Sequence, residues 1–364
     1  MDYLHYGTMF SYYSAKTRAV MSFKRIPFVE VYDPRELSGR IQEATSKRMI
    51  PVLVAPDGEI LQDTTVIVDA LEARFPDRPV FPADSAMMLL SRIAEFFIDE
   101  LWITTAMNTR WNDPVSKAFA IGEFGRGIGE AHGLEGEAAM AIGQRVADQM
   151  QSYLPYLGIG TEDGQRIASQ FFRTATLKLN NVVGKDRYAL GSRPWLIDFV
   201  LFEGYYAHHY RDAGAAQQFL KQEAPQLCYY LDALHAGHCI APEGEPGISD
   251  ALVDYLSYVG PSAAAFGAAL ELQAGLLAAQ SAPGRVFEKG IDPVTFDLGG
   301  ESFSRGGSTF GVWKLQRVRA AYQQMDEEAQ QAIAPVLTQI GWADVLAADP
   351  GFRLERKNHL THLA

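Results

Sequence analysis

Four consecutive hydroxyl-bearing residues, Ser11, Tyr12, Tyr13 and Ser14, precede a segment in which Ala15, Ala19, Val20 and Phe23 recur at helical spacing. They therefore stand at the open end of a helix. A hydroxyl there can cap free backbone N–H groups, or be presented to a ligand beside the positive end of the helix dipole. Asp63-Thr64 opens a later helix in the same way, ahead of Val66, Ile67, Ala70 and Leu71. Trp102, Met107 and Trp111 line one side of a long helical stretch, a pattern that most often packs a core. Other patterns carry less. The glycines of GRGIGEAHG, residues 125–133, do not join a strand to a helix, so they are not a dinucleotide loop. His208 and His209 are adjacent and point to different helix sides, and His359 and His362 sit at helical spacing in the terminal tail. Neither pair is read as a metal site.

The elements that position these residues fall into two styles. Up to about residue 82 the chain reads strand (YLHY), helix, strand (PFVEVY), polar helix from Pro34 to about Thr45, strand (IPVLV), turn (PDG), strand (EIL), helix. A helix between the first two strands implies a parallel pair with a right-handed crossover. The Asp57-Gly58 turn implies an antiparallel pair. The result is a small mixed sheet with helices on its faces. After the proline-rich link at 76–84, strand patterns nearly vanish. Helices are expected over 84–112, 136–156, 164–183, 194–211, 215–234, 248–280 and 311–346. Between the last two lies a loop-rich stretch, 284–308, where Gly299-Gly300 suits a hairpin turn.

With 48% apolar and 21% charged residues in a 364-residue chain, a large core can form and disorder is disfavoured. A formal charge of −12 argues against a general affinity for nucleic acid or anionic membrane. No run reaches the ~18 apolar residues of a membrane helix, and no secretory leader is read at the start. Cys228 and Cys239 can pair only with each other and are read as free thiols in a reducing, cytoplasmic compartment.

SYYSAKTR, then IPVLVAPDGEILQDTTVIVDALE, then GSRPWLIDFVL follow one another in the order and spacing of the glutathione transferase superfamily, which this chain resembles over about residues 3–235. The resemblance implies a thioredoxin-like α/β domain over 1–82, an all-α C-terminal domain over 83–240, and a helical extension over 241–364 packed on it. It implies glutathione as cosubstrate with no tightly bound cofactor, and a reaction in which the glutathione thiolate attacks a hydrophobic electrophile. A homodimer is compatible with it. The alternative is a non-catalytic relative that binds apolar ligands or a protein partner, because a fold does not guarantee activity.

The resemblance also implies site residues. A cis peptide at Ile50–Pro51 would turn the Ile50 backbone outward to pair with an extended peptide. Thr64, with the helix N-terminus, would hold the γ-glutamyl carboxylate, and Asp63 the ammonium beside it. Ser11 falls where serine-type members place a hydroxyl that stabilises the thiolate, since a free thiol with a pKa near ~8.5 is mostly protonated at neutral pH. Tyr6, where tyrosine-type members carry their hydroxyl, and Tyr12 are the alternatives. Trp102, Met107 and Trp111 would border the acceptor pocket. The absence of cysteine at 10–18 disfavours glutaredoxin-like chemistry, which needs a protein thiolate there. Asp198 has Trp195 where the family has a hydroxyl residue, so only half of a capping box is expected.

Overall fold

A computed structural model describes residues 2–185, 187–191, 193–237 and 246–364. The N-terminal elements are β1 (Tyr3–Tyr6), α1 (Ser14–Lys24), β2 (Phe28–Val31), α2 (Pro34–Ser38), α3 (Arg40–Thr45), β3 (Val52–Val54), β4 (Ile60–Gln62) and α4 (Thr64–Arg74). The sheet order is β2-β1-β3-β4. β1 and β2 run parallel, and β3 is antiparallel to both β1 and β4. This is the mixed, thioredoxin-like sheet expected from the strand and turn signals. The polar helix expected over 34–45 is broken at Gly39, whose backbone (φ −103°, ψ −112°) leaves the helical region. Leu37 and Ile41 from these two short helices pack with Tyr6, Val52 and Val54 as a small core on one sheet face. The other face joins the main core through α1 and α4.

The second part begins with α5 (Ser85–Phe96), which continues through a π-helical segment, Phe97–Trp102, into α6 (Ile103–Trp111). Then follow α7 (Pro114–Ala131), α8 (Gly136–Gln151), α9 (Glu162–Val182), α10 (Leu196–Tyr205) with a π-helical tail, α11 (Ala215–Glu223) and α12 (Pro225–His235). α7 is absent from the sequence reading because its glycines depress helix propensity. They serve packing. A β-carbon at Gly125 would lie 3.0 Å from the Ala139 carbonyl oxygen, and one on Gly143 would overlap the Ile121 carbonyl oxygen. Only glycine lets α7 and α8 approach that closely. The Asp198 carboxylate accepts from the backbone N–H groups of Trp195 (2.9 Å) and Ala189 (2.8 Å), and from the Tyr230 hydroxyl (3.0 Å). The Trp195 N–H bond is the retained half of the capping box; in place of the missing hydroxyl, the Asp198 N–H donates to the Trp195 carbonyl at 2.9 Å.

The last part holds α13 (Asp250–Ala278), β5 (Gly290–Leu298), β6 (Glu301–Ser308), α14 (Thr309–Gln323), α15 (Glu327–Gln339), α16 (Ala343–Ala347), β7 (Leu354–Lys357) and β8 (Leu360–Leu363). The expected helical extension thus carries two hairpins, one of them at the Gly299-Gly300 turn. Gly299 and Gly300, both at positive φ (64° and 96°), turn β5 into β6. Phe296 and Phe303 face each other across that pair at 5.9 Å. Asn358 and His359, at φ 49° and 63°, turn β7 into β8. His359 therefore sits in a turn and His362 on a strand, not on one helix. α14 packs on α5, and α10 packs on α1. The boundary expected at 240/241, and Cys239, lie outside the described residues. Cys228 is a free, buried thiol. Among the described residues no helix is long and apolar enough to cross a membrane.

Candidate functional site

The start of α4 is built by its own sequence. Asp63 takes a positive φ of 83°, and its Oδ1 accepts from the Thr65 N–H at 3.0 Å. That leaves Thr64 as the first helical residue, 2% exposed, with a buried Oγ1 that has no hydrogen-bond partner. The Gln62 amide donates to the carbonyls of Met49 (3.1 Å) and Lys47 (3.4 Å), which ties down the loop before β3. The Ile50–Pro51 peptide is cis. The strand ladder begins at Val52, so the Ile50 backbone stands outside it.

These residues open onto one small cleft of about 220 Å³. Its N-terminal wall is Tyr13, Lys47, Met49, Ile50, Pro51, Gln62, Asp63 and Thr64. The facing wall is Glu100, from the π-helical segment, with Ser308, Phe310, Lys314 and Arg356. Four residues singled out from the sequence therefore come together: Ile50, Pro51, Asp63 and Thr64.

The three hydroxyl candidates do not line this cleft. Ser11 Oγ accepts from the Ser14 N–H at 3.3 Å and caps α1. Tyr6 belongs to the small core on the far sheet face. Tyr12 is buried, and its hydroxyl donates to the Ile98 carbonyl at 2.8 Å. Tyr13 lines the cleft instead, and its hydroxyl donates to the Asp99 carbonyl at 3.1 Å. Both acceptors belong to the π-helical segment, a kind of irregularity common at functional sites. Burial, reinforced by Glu100, pushes the Tyr13 phenol well above its usual range, against the pull of Lys314. It stays a proton donor at any working pH. No local pattern marks Tyr13 over its neighbours, because its acceptor lies 86 residues away.

Trp102, Met107 and Trp111 are also placed elsewhere. Trp102 is wholly buried, donates from its indole to the Gly204 carbonyl at 3.2 Å, and packs among Phe97, Phe171 and Tyr205. Trp111 stacks on Phe124 and Met107 is buried. The stripe is core. The wall facing Asp63 and Thr64 comes from Glu100 and from the C-terminal extension, which local patterning cannot assign to this position.

Beneath the cleft lies a buried ionic cluster that the sequence reading missed. Lys16 Nζ meets Asp99 (3.0 Å), Glu203 (3.2 Å) and Glu95 (3.3 Å), and Lys314 Nζ meets Asp99 (2.7 Å) and Glu100 (3.2 Å). Arg92 joins Glu95 (2.7 Å) to Asp69 (2.8 Å), and Arg317 meets Asp69 at 2.6 Å. Burial opposes the charge on both lysines, but the surrounding carboxylates outweigh it and hold their pKa values above the usual range. Burial and Asp99 push the Glu203 carboxyl well above the carboxylate range, against the pull of Lys16. The cluster ties α1, α4, α5, α10 and α14 together under the site. Removing one partner from such a cluster is costly because a buried charge is left uncompensated.

Residues 6–79 match the family model described as glutathione S-transferase, N-terminal domain. The comparison with curated proteins finds no match. Among solved structures, the chain is similar to the β-etherase LigF from Sphingobium sp. strain SYK-6, with 18% identity, 70% of this chain and 98% of that one covered, and a TM-score of 0.46. It is similar to glutathione transferase GSTFuA3 from Phanerochaete chrysosporium, at 15% identity, 65% and 97% coverage, and a TM-score of 0.44. A glutathione S-transferase from Methylobacillus flagellatus KT with glutathione bound aligns at 20% identity, 70% and 98% coverage, and a TM-score of 0.37.

Proposed function

We propose, on the premise that residues 6–79 form a domain of the glutathione S-transferase N-terminal family, that this protein binds glutathione in the cleft and directs its thiol at an electrophile. The observation that carries this reading is the convergence of Ile50, Pro51, Asp63 and Thr64 on one cleft. The Thr64 hydroxyl and the N–H groups of α4 hold the γ-glutamyl carboxylate. Asp63, whose Oδ1 is used by Thr65, offers Oδ2 to the ammonium. The Ile50 backbone pairs with the cysteinyl unit. Tyr13, taking the place assigned to Ser11, releases the Asp99 carbonyl, donates its one proton to the sulfur instead, and lowers the thiol pKa. Placing the two reactants together supplies the rest of the rate. The acceptor side is not a purely apolar pocket: Phe310 offers a ring, while Lys314, Glu100 and Arg356 surround it with charge. The electrophile then has an aromatic or apolar body with polar substituents.

In this reading residues 1–82 are the glutathione-binding domain, 83–240 the helical domain, and 241–364 the part that covers the acceptor side. The protein works in the cytoplasm, with a homodimer as an open assembly state. One observation favours binding without catalysis: the Tyr13 hydroxyl is already donated to the Asp99 carbonyl. Calorimetry with glutathione, followed by ultraviolet titration of the bound thiol, separates the readings. Binding with thiolate at neutral pH supports the transferase. Binding without it supports the ligand-binding alternative, and no binding overturns both glutathione roles.

A further inference from the structure

The wall that faces Asp63 and Thr64 contains a guanidinium whose hydrogen bonds are only half used. Arg356, on β7, lines the cleft and its side chain is 13% exposed. Its Nη1 donates to Glu288 (3.1 Å) and to the Thr361 hydroxyl (3.3 Å). Its Nε is buried without a partner, and Nη2 makes no hydrogen bond among the described residues. Nε and Nη2 form the edge of the guanidinium that grips a carboxylate with two parallel bonds. The ring of Phe310 lies under the group at 4.7 Å, and Glu288 holds it by the other edge. The guanidinium is therefore oriented by contacts that leave its gripping edge unused.

Two further features bear on the same place. Thr64 Oγ1 is a second buried polar atom without a partner, in a residue almost wholly buried at the first turn of an 11-residue helix. Buried polar atoms left unpaired are costly, so two of them in residues lining one cleft favour a ligand group that reaches them. Charge balance agrees. Glu288 is shared by Arg356 and by Lys47 (2.5 Å), so that trio carries one net positive charge. Burial lowers the Arg356 pKa, and Asp63 and Glu288 oppose that fall; Asp63 makes no ion pair with Arg356 among the described residues.

We propose that Arg356 supplies the cationic half of the site for the α-aminocarboxylate end of the ligand. Its Nε–Nη2 edge and the Thr64 hydroxyl take the carboxylate, while Asp63 takes the ammonium on the same carbon. The C-terminal segment then completes the thiol-peptide site from a position 292 residues beyond Thr64. It is part of ligand recognition rather than only a cover. This rests on the glutathione reading above.

The test uses the full chain, calorimetry, and two ligands. One is glutathione; the other is 4-aminobutyryl-cysteinyl-glycine, the same tripeptide without the α-carboxylate. Arg356→Gln is expected to weaken glutathione about ten- to a hundredfold, the effect of losing a charge-assisted pair. It should leave the already weaker decarboxylated analogue unchanged. Equal losses for both ligands make Arg356 structural and overturn the proposal, and so does no loss for either. If the unmutated chain binds neither ligand, the glutathione reading itself fails, a distinguishable result. Should Arg356→Gln not fold, the Arg356 Nε–H resonance in the unmutated protein, assigned with Arg356→Lys, serves instead. It should shift with glutathione and not with the analogue, and a shift with neither overturns the assignment.

Discussion

Replacing Tyr13 by Phe removes one hydroxyl and leaves the ring. In the proposed mechanism that hydroxyl donates to the sulfur of bound glutathione. A neutral donor to a charged acceptor is worth roughly 1.5–3 kcal/mol. At 1.36 kcal/mol per pH unit, its loss raises the pKa of the bound thiol by about 1–2. Starting near ~8.5 for a free thiol, a site that had lowered this value loses most of its thiolate at neutral pH. Affinity should change little, because the sulfur is one contact of many. The folded state also loses the bond to the Asp99 carbonyl, a 3.1 Å contact in a part-buried place, at about 0.5–1.5 kcal/mol. The assay is the ultraviolet absorbance of bound thiolate against pH, with a urea melt alongside. Ser11→Ala is the matched control. It removes the acceptor of the Ser14 N–H, so it should lower stability by about 0.5–2 kcal/mol and leave the thiol titration alone. If Ser11→Ala moves that titration while Tyr13→Phe does not, the assignment of the thiol donor to Tyr13 is refuted.

Asp63→Asn keeps an acceptor for the Thr65 N–H but removes the charge offered to the γ-glutamyl ammonium. It should weaken glutathione binding by about 1.5–3 kcal/mol, and unchanged calorimetric affinity would reduce Asp63 to a helix cap. Gly143→Ala forces a methyl group into the Ile121 carbonyl oxygen and should destabilise the fold by at least 1–3 kcal/mol; an unshifted urea midpoint would mean that α7 and α8 can separate freely. The buried histidines should make acid destabilising, against buried carboxyls such as Asp198, held up at about 7 by burial, whose protonation in the folded state acts the other way. His5 is buried, and burial, with Arg18 adding to it against Glu30, holds its pKa down at about 4. The unfolded chain then binds more protons than the folded one between roughly pH 6.5 and 4. Stability is full above that window and falls as pH drops through it, by roughly 3 kcal/mol from His5 alone. His208 and His209, buried and depressed likewise, add to the fall; a His5→Gln variant whose urea midpoint changes from pH 7 to pH 5 just as the unmutated protein's does would contradict this.

What the sequence by itself determined is local. The Asp57-Gly58 turn, the alternation of the strands and the polar start of α4 each act over a few residues. Together they specify the N-terminal sheet and deliver Ile50, Pro51, Asp63 and Thr64 to one edge of it. The Gly299-Gly300 turn was legible for the same reason. The tertiary structure decided which hydroxyl of the opening stretch meets the cleft. Tyr12 and Tyr13 differ only in which carbonyl of a distant π-helical segment each one reaches, and sequence spacing carries no record of that. Likewise, an aromatic stripe has the same period whether it packs a core or walls a pocket, so Trp102 and Trp111 became interior only when α7, α9 and α10 closed around them. Lys16, Glu95, Asp99, Glu203 and Lys314 read as ordinary charges on helices until packing removes their water and makes each the partner of another. Arg356 joins the cleft only because α14 and β7 fold back over it, and pairings made at such separations leave no periodic signal in the chain.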